Sequence, residues 1–224
     1  MKIVQCGGFS FRDAAVLKAF ALQLKQYSRE EVLVVAEAFG ETLFLLEKAA
    51  DAAFYQKEDL GIALQAIVDF HFNLLHHLIQ NREHPVYAEL NNCFVELEWS
   101  LEDDAAKGFE FLYDQVISMG TVLASKITSA YLNEFGLKNK WLDIRDCIQT
   151  DNHYSDGKVD VALSTKYIQE IIPSLFDNGT AILVTQGAIG CTSENFSTTL
   201  GADGMAQTLH LLKDALNATL LVSE

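Results

Sequence analysis

Short runs of consecutive apolar residues alternate along this chain with longer stretches in which apolar positions recur every three or four residues. Ile3 to Cys6 is a run of the first kind and ends in Gly7-Gly8; from Arg12 to Tyr27, Val16, Leu17, Phe20 and Leu24 share one helical face. Val32 to Ala36 is β-branched and apolar throughout, which fits a strand buried on both faces, and a turn at Phe39-Gly40 leads into a second helical pattern near Glu41. A strand, turn and helix thus occur twice, which predicts parallel pairing. From Glu58, with Leu60, Leu64, Ile67, Leu74, Leu75 and Leu78 at helical spacing, the chain stays helix-rich through Tyr131, and Pro85 is its strong breaker. Ser118-Met119-Gly120 interrupts that pattern, and Ser118 is expected to cap a helix running through Leu123, Ile127 and Tyr131 that closes at Glu134-Phe135-Gly136.

Lys140 to Ile144 is the next expected strand, and Thr150 to Gly157 a polar loop or exposed hairpin. Val161 to Phe176 reads as a helix containing or bent at Pro173, Asn178-Gly179 as a turn, Ala181 to Thr185 as a strand, Met205 to Leu216 as a helix and Ala218 to Val222 as a last strand. No linker or repeat divides the chain, so one domain over residues 1–224 is expected. Half of the 224 residues are apolar, enough for a sizeable core, and the net charge of −15 with no run of Lys or Arg argues against nucleic-acid and anionic-membrane partners. No apolar run approaches a membrane span or a signal segment, so a cytoplasmic protein is expected. Cys6, Cys93, Cys147 and Cys191 form no CxxC pair and read as buried or incidental thiols. His71, His76 and His77 are not spaced to share a metal, and no metal site is expected; Glu96, Glu98, Glu102, Asp103 and Asp104 read as a solvated helix edge.

The stretch with the most chemistry is Ala181 to Gly204. Gly187 and Gly190 permit close backbone approach, and Thr198, Thr199 and Gly201 offer hydroxyls and amides ahead of a helix, the build of an anion or nucleotide loop. From Tyr167 to Leu212, however, there is no Lys or Arg. For Gly7-Gly8 the two readings are an amide cradle and a tight strand-to-helix turn. For the second loop they are a retained ligand site and a scaffold whose hydroxyls satisfy its own backbone.

Taken in order, Gly7-Gly8-Phe9-Ser10, Val32 to Leu46, Ser118-Met119-Gly120, Trp141 to Asp146 with Thr150-Asp151, and the TQGAIG and STTLG segments resemble the amino acid kinase superfamily, and within it the aspartokinase catalytic domain. The resemblance implies an α/β fold, a three-layer α/β/α sandwich on a mainly parallel, eight-stranded sheet, carbamate kinase-like and commonly dimeric, in which the side-chain carboxylate of aspartate attacks the γ-phosphate of Mg-ATP. Such chemistry rests on positioning and charge neutralisation. The departures fall on the residues that supply them. Gln5 stands where the family has a phosphate-contacting lysine, Phe9 for a threonine, Ala36 for a serine, Phe39 for a glycine, and Thr121 for the glutamate that helps hold the amino acid. Ala202, Met205 and Ala206 stand for the arginine, serine and aspartate of RGGSD, with Asp203 out of register. Ser10, Gly40, Thr42, Ser118 and Gly120 are kept, and Lys158 lies near the family's carboxylate-binding arginine; Arg145 and Asp146 read as a structural pair.

The resemblance also implies strands and a lysine-bearing stretch beyond Glu224 and regulatory ACT domains, neither of which is expected here. It therefore implies a degenerate aspartokinase-like protein with weak or lost phosphorylation of aspartate, binding a small amino acid or anion, as a homodimer or with a complete aspartokinase. Two alternatives stay open: an active kinase with relocated charges that uses Mg-ATP through Lys158, Asp203 or a partner, and a structural dimeric module that docks through residues 58–131.

Overall fold

The computed structural model describes residues 1–27, 30–176 and 180–221. The expected turn at Asn178-Gly179 and the last residue of the expected terminal strand, Val222, lie outside the described residues. Among the described residues seven strands form in chain order: β1 (Lys2–Gly8), β2 (Val32–Phe39), β3 (Asn139–Trp141), β4 (Ile182–Gln186), β5 (Ile189–Cys191), β6 (Ser197–Thr199) and β7 (Thr219–Leu221). Five of them make one parallel sheet in the order β3-β4-β2-β1-β7. The fold is α/β with helices flanking a parallel sheet, as the repeated strand-turn-helix pattern predicts.

β2 and β4 hold the centre because both their faces are apolar. Every residue of β4 is buried, and in β2 only Glu37 is not. The resemblance implies eight strands; among the described residues the parallel sheet has five, and β5 pairs antiparallel with β6 in a small hairpin where the sequence pattern predicts only a loop. Three-residue strands of Gly, Ser and Thr carry too little apolar periodicity to be read as such.

Among the described residues seven α-helices accompany the strands: α1 (Ala14–Leu24), α2 (Thr42–Phe54), α3 (Leu60–Leu78), α4 (Pro85–Asp103), α5 (Phe109–Glu134), α6 (Val161–Leu175) and α7 (Gly204–Leu216). Their ends follow local chemistry. Asp13 caps α1 by accepting from Ala15 N and Val16 N, and Asp160 caps α6 by accepting from Leu163 N. Pro85 opens α4 at its first turn, where its missing N–H costs nothing, and Pro173 sits in the last turn of α6. Gly136, at φ +90°, follows the end of α5 as expected. The helices pack as α2 with α3 and α5, α4 with α5, and α6 with α7, while α5 also lies on β2, β3 and β4.

Two expectations are corrected. Ser118 does not cap a helix: α5 runs unbroken through Ser118-Met119-Gly120, the Ser118 hydroxyl donates to Gln115 O inside the helix, and the whole segment is buried. The strand expected over Lys140 to Ile144 stops at Trp141, because Asp143 turns the chain by accepting from Arg145 N and a 3₁₀ turn follows at Ile144–Asp146. Gly120 is a packing residue. A methyl there would lie 3.1 Å from Ala38 Cβ and from Leu46 Cδ1, and 3.3 Å from Leu43 Cδ2. Gly120→Val is therefore expected to destabilise the fold by about 2 kcal/mol through overpacking, read as a lowered urea midpoint; an unchanged midpoint would show that α2 and α5 are not in contact there.

Candidate functional site

The carboxyl ends of β1, β2 and β4 and the β5-β6 hairpin open on one cleft, the position at which parallel α/β sheets place ligands. Its cavity measures about 430 Å³. The walls come from Glu37 of β2, Leu43 and Glu47 of α2, and Tyr113, Ile117 and Thr121 of α5. Ser155, Ala188, Ile189, Thr199, Gly201, Ala202 and Met205 close it from the other side. Ala188 is held at φ +64°, a left-handed conformation uncommon for a residue with a side chain.

The cleft brings together five residues singled out from the sequence, Thr121, Thr199, Gly201, Ala202 and Met205, and a carboxylate lies at two of the glycine turns. At Gly7-Gly8 the intruder is Glu37. Gln5 Nε2 donates to Glu37 Oε2 at 2.7 Å, and a methyl on Gly8 would lie 3.0 Å from that same oxygen. At Gly201 it is Asp156, whose Oδ1 lies 2.8 Å from where a methyl would be. Gly187 is covered instead by Met205: an added methyl would meet Met205 Cε at 2.4 Å, and the Gly187 amide already donates to Ala36 O.

The remaining kept residues are spent on structure. Gly190 pairs with Thr198 across the hairpin and packs against Ile148 and Thr150. Thr198 is fully buried with its hydroxyl 2.8 Å from that of Thr150. Thr42 is buried beside His71, its Oγ1 3.4 Å from the imidazole Nε2, while His71 Nδ1 lies 2.8 Å from Ile67 O. Burial pushes the His71 pKa down to about 4. Gly40, at φ +55°, donates its N–H to Gly8 O. Ser10 is exposed beyond the Gly7-Gly8 turn, and Asp203 and Ala206 are exposed at the start of α7.

Lys158 does not line the cavity. Its ammonium pairs with Asp156 on the surface, and its backbone N–H donates to Asp151. Arg145 is corrected from the expected pairing with Asp146: it makes a bidentate pair with Asp143, Nε to Oδ1 at 2.9 Å and Nη2 to Oδ2 at 2.6 Å, and donates to Ser197 Oγ. The four cysteines are free and buried, as expected.

Sequence reasoning missed Asp114. Fully buried on α5, it accepts from Thr199 Oγ1 at 2.6 Å and from Ser155 N at 2.9 Å, and so ties the hairpin and the 150–158 loop to the floor of the cleft. Desolvation, opposed by those hydrogen bonds, pushes its pKa up to about 6. The signal was present in the sequence. Asp114, Ser118, Thr121, Ser125 and Thr128 recur at spacings of four and three along α5, a polar stripe on a buried helix face.

These residues do not fit a nucleoside triphosphate with its Mg²⁺. Among the described residues no Lys or Arg lines the cavity to offset the charge of the phosphates. Like charges 4 Å apart repel by about 4 kcal/mol at a protein surface, and Glu37, which has no ion-pair partner among the described residues, lies over the Gly7-Gly8 turn, whereas the charge of Asp156 at Gly201 is met by Lys158.

The profile of the amino acid kinase family matches residues 1–222. The lysine-sensitive aspartokinase 3 of Escherichia coli K12 is 26% identical over 214 residues, covering 95% of this chain and 46% of that protein. The crystal structure of E. coli aspartokinase III in complex with lysine and aspartate superposes with a TM-score of 0.86 at 24% identity, over 97% of this chain and 47% of the other. Clostridium acetobutylicum aspartate kinase superposes at 0.75 with 18% identity, over 97% of this chain and 46% of the other. The chain thus spans about half the length of these relatives. No described helix is long and apolar enough to cross a membrane.

Proposed function

The chain belongs to the amino acid kinase family, and from that premise we propose that it is an aspartokinase-like domain that keeps the cleft as a small-ligand site while phosphoryl transfer to aspartate is weak or lost. On this reading it works by binding, as a regulatory partner of its own copy or of a complete aspartokinase, in the cytoplasm and as a single domain. One observation carries the reading: the Glu37 carboxylate, held by Gln5, lies over the Gly7-Gly8 turn. Phosphoryl transfer depends on cations that offset charge developing on the phosphoryl oxygens. Here a neutral amide stands in the lysine's place and an anion stands beside it. The substitution of Ala202 and Ala206 for arginine and aspartate acts in the same direction.

The test is a coupled ADP-release assay on purified protein with aspartate and Mg-ATP. Little or no aspartate-dependent turnover is expected; substantial turnover would overturn the proposal.

A further inference from the structure

We infer that the 430 Å³ cleft takes a small primary ammonium on a short apolar body, and not a carboxylate or a phosphate ester. The inference rests on the reading of the cleft as a ligand site and names the chemical class of its guest. It follows from the direction of every hydrogen bond made by the polar side chains of the wall. Tyr113 Oη donates to Glu47 Oε1 at 3.1 Å, Thr121 Oγ1 to Ser118 O at 3.2 Å, Ser155 Oγ to Tyr154 O at 2.7 Å and Thr199 Oγ1 to Asp114 Oδ1 at 2.6 Å. Each hydroxyl has given its proton to the protein and has only lone pairs left for a guest.

The two carboxylates of the wall, Glu37 and Glu47, come from different elements and add acceptors. Each receives one neutral hydrogen bond, from Gln5 and Tyr113 respectively, and among the described residues neither is ion-paired with a Lys or Arg. The phenol of Tyr113 is pushed up to about 12 by desolvation and by Glu47, so it stays a donor to that carboxylate. The side chains of the wall are thus a set of acceptors with two negative charges and no cation, whereas an ammonium is a set of three donors with no acceptor. A carboxylate guest would find no side-chain donor free to meet it.

The rest of the wall is apolar. Leu43, Ile117, Ile189 and Met205 would cover an alkyl body, and the volume lies within the range of small-molecule pockets. Size and polarity together select a short alkylamine or an amine-bearing metabolite whose acidic groups are absent or masked.

The experiment uses the full chain with n-pentylamine as the probe, and n-pentanol and pentanoate as uncharged and anionic controls of matched shape. Thermal shift and titration calorimetry are run at pH 7.5 and fixed ionic strength. Pentylamine is expected to raise the melting temperature in a saturable way, and the two controls are not. Glu37→Gln, which keeps an oxygen for Gln5, and Glu47→Gln are each expected to weaken pentylamine about tenfold, the value of one charge-assisted hydrogen bond. Glu98→Gln removes the same charge from an exposed site outside the cavity and is expected to leave the affinity unchanged. Should Glu37→Gln fail to fold, Glu47→Gln, on the exposed side of α2, carries the test alone.

A shift given by pentanoate or aspartate, the absence of a shift with pentylamine, or an affinity untouched by the glutamine variants would overturn the inference. Those outcomes leave the proposed loss of kinase activity standing, which falls only to aspartate-dependent ATP turnover.

Discussion

Gly7→Ala is expected to destabilise the fold by more than about 3 kcal/mol, a large share of the stability of an ordinary domain. A methyl on Gly7 would lie 2.2 Å from Glu37 O and 2.8 Å from Glu37 C, both backbone atoms of the central strand β2, which cannot retreat without breaking the β1-β2 ladder. The backbone there is at φ +133°, a region that side-chain-bearing residues enter at a cost of about 1–3 kcal/mol before any contact is counted. Gly187→Ala is the control. Its methyl meets the terminal Sδ and Cε of Met205, a flexible side chain that can swing away, and lies 3.0 Å from Cγ1 of the buried Val35, so the loss is expected to be about 1–2 kcal/mol, below that of Gly7→Ala. Chemical denaturation of the two variants side by side measures the contrast. If Gly7→Ala keeps the native midpoint, the turn is not held by its glycine and an amide cradle for a ligand becomes the better account of Gly7-Gly8.

The strands β1, β2 and β4, and the helices α1, α2, α6 and α7, were legible because each is long or apolar enough for its period to stand out. The β5-β6 hairpin was not, since Gly190, Thr198 and Ser197 carry no apolar alternation and are held by pairing and by Thr150. Ser118-Met119-Gly120 looked like a helix boundary because serine and glycine are poor in helix interiors when exposed. In a helix buried on most sides, small residues are instead what lets α2 and β2 approach, and tertiary contact overrides propensity.

The cleft was legible as a place and less so as chemistry. Glycines and threonines of the TQGAIG and STTLG segments do assemble at the strand ends, and the missing cations could be counted. What the sequence could not convey is that Glu37, Asp156 and Met205, none adjacent in sequence to the turns they cover, fill the positions left open. That is long-range geometry, set by β2 pairing with β1 and by α7 packing on the Gly187-Ala188 turn that follows β4.

Asp114 and His71 are expected to give the stability of this chain opposite pH dependences that nearly cancel between pH 4 and 6 and separate when either is replaced. Both are fully buried. Burial raises the Asp114 pKa from 3.8 to about 6 and lowers that of His71 from 6.5 to about 4. For Asp114 the folded value is the higher one, so its contribution is complete below pH 3.8 and is lost as pH rises through about 6. For His71 the folded value is the lower one, so stability is complete above pH 6.5 and is lost as pH falls toward 4. At about 1.4 kcal/mol per pKa unit, each effect is on the order of 3 kcal/mol. Tyr113 and Tyr154, which feel the charge of Asp114, are themselves pushed up and do not titrate in this window. Asp114→Asn, which keeps an oxygen for Ser155 N and an amide for Thr199, should therefore leave a protein whose unfolding free energy climbs steeply from pH 4 to 6.5. His71→Gln should leave one whose stability declines from pH 4 to 6. Urea denaturation at half-unit pH intervals reads both slopes. Two variants with the same slope as the parent would mean that neither side chain is buried as described, and the floor of the cleft, which Asp114 ties to Thr199 and Ser155, would then have to be open to water.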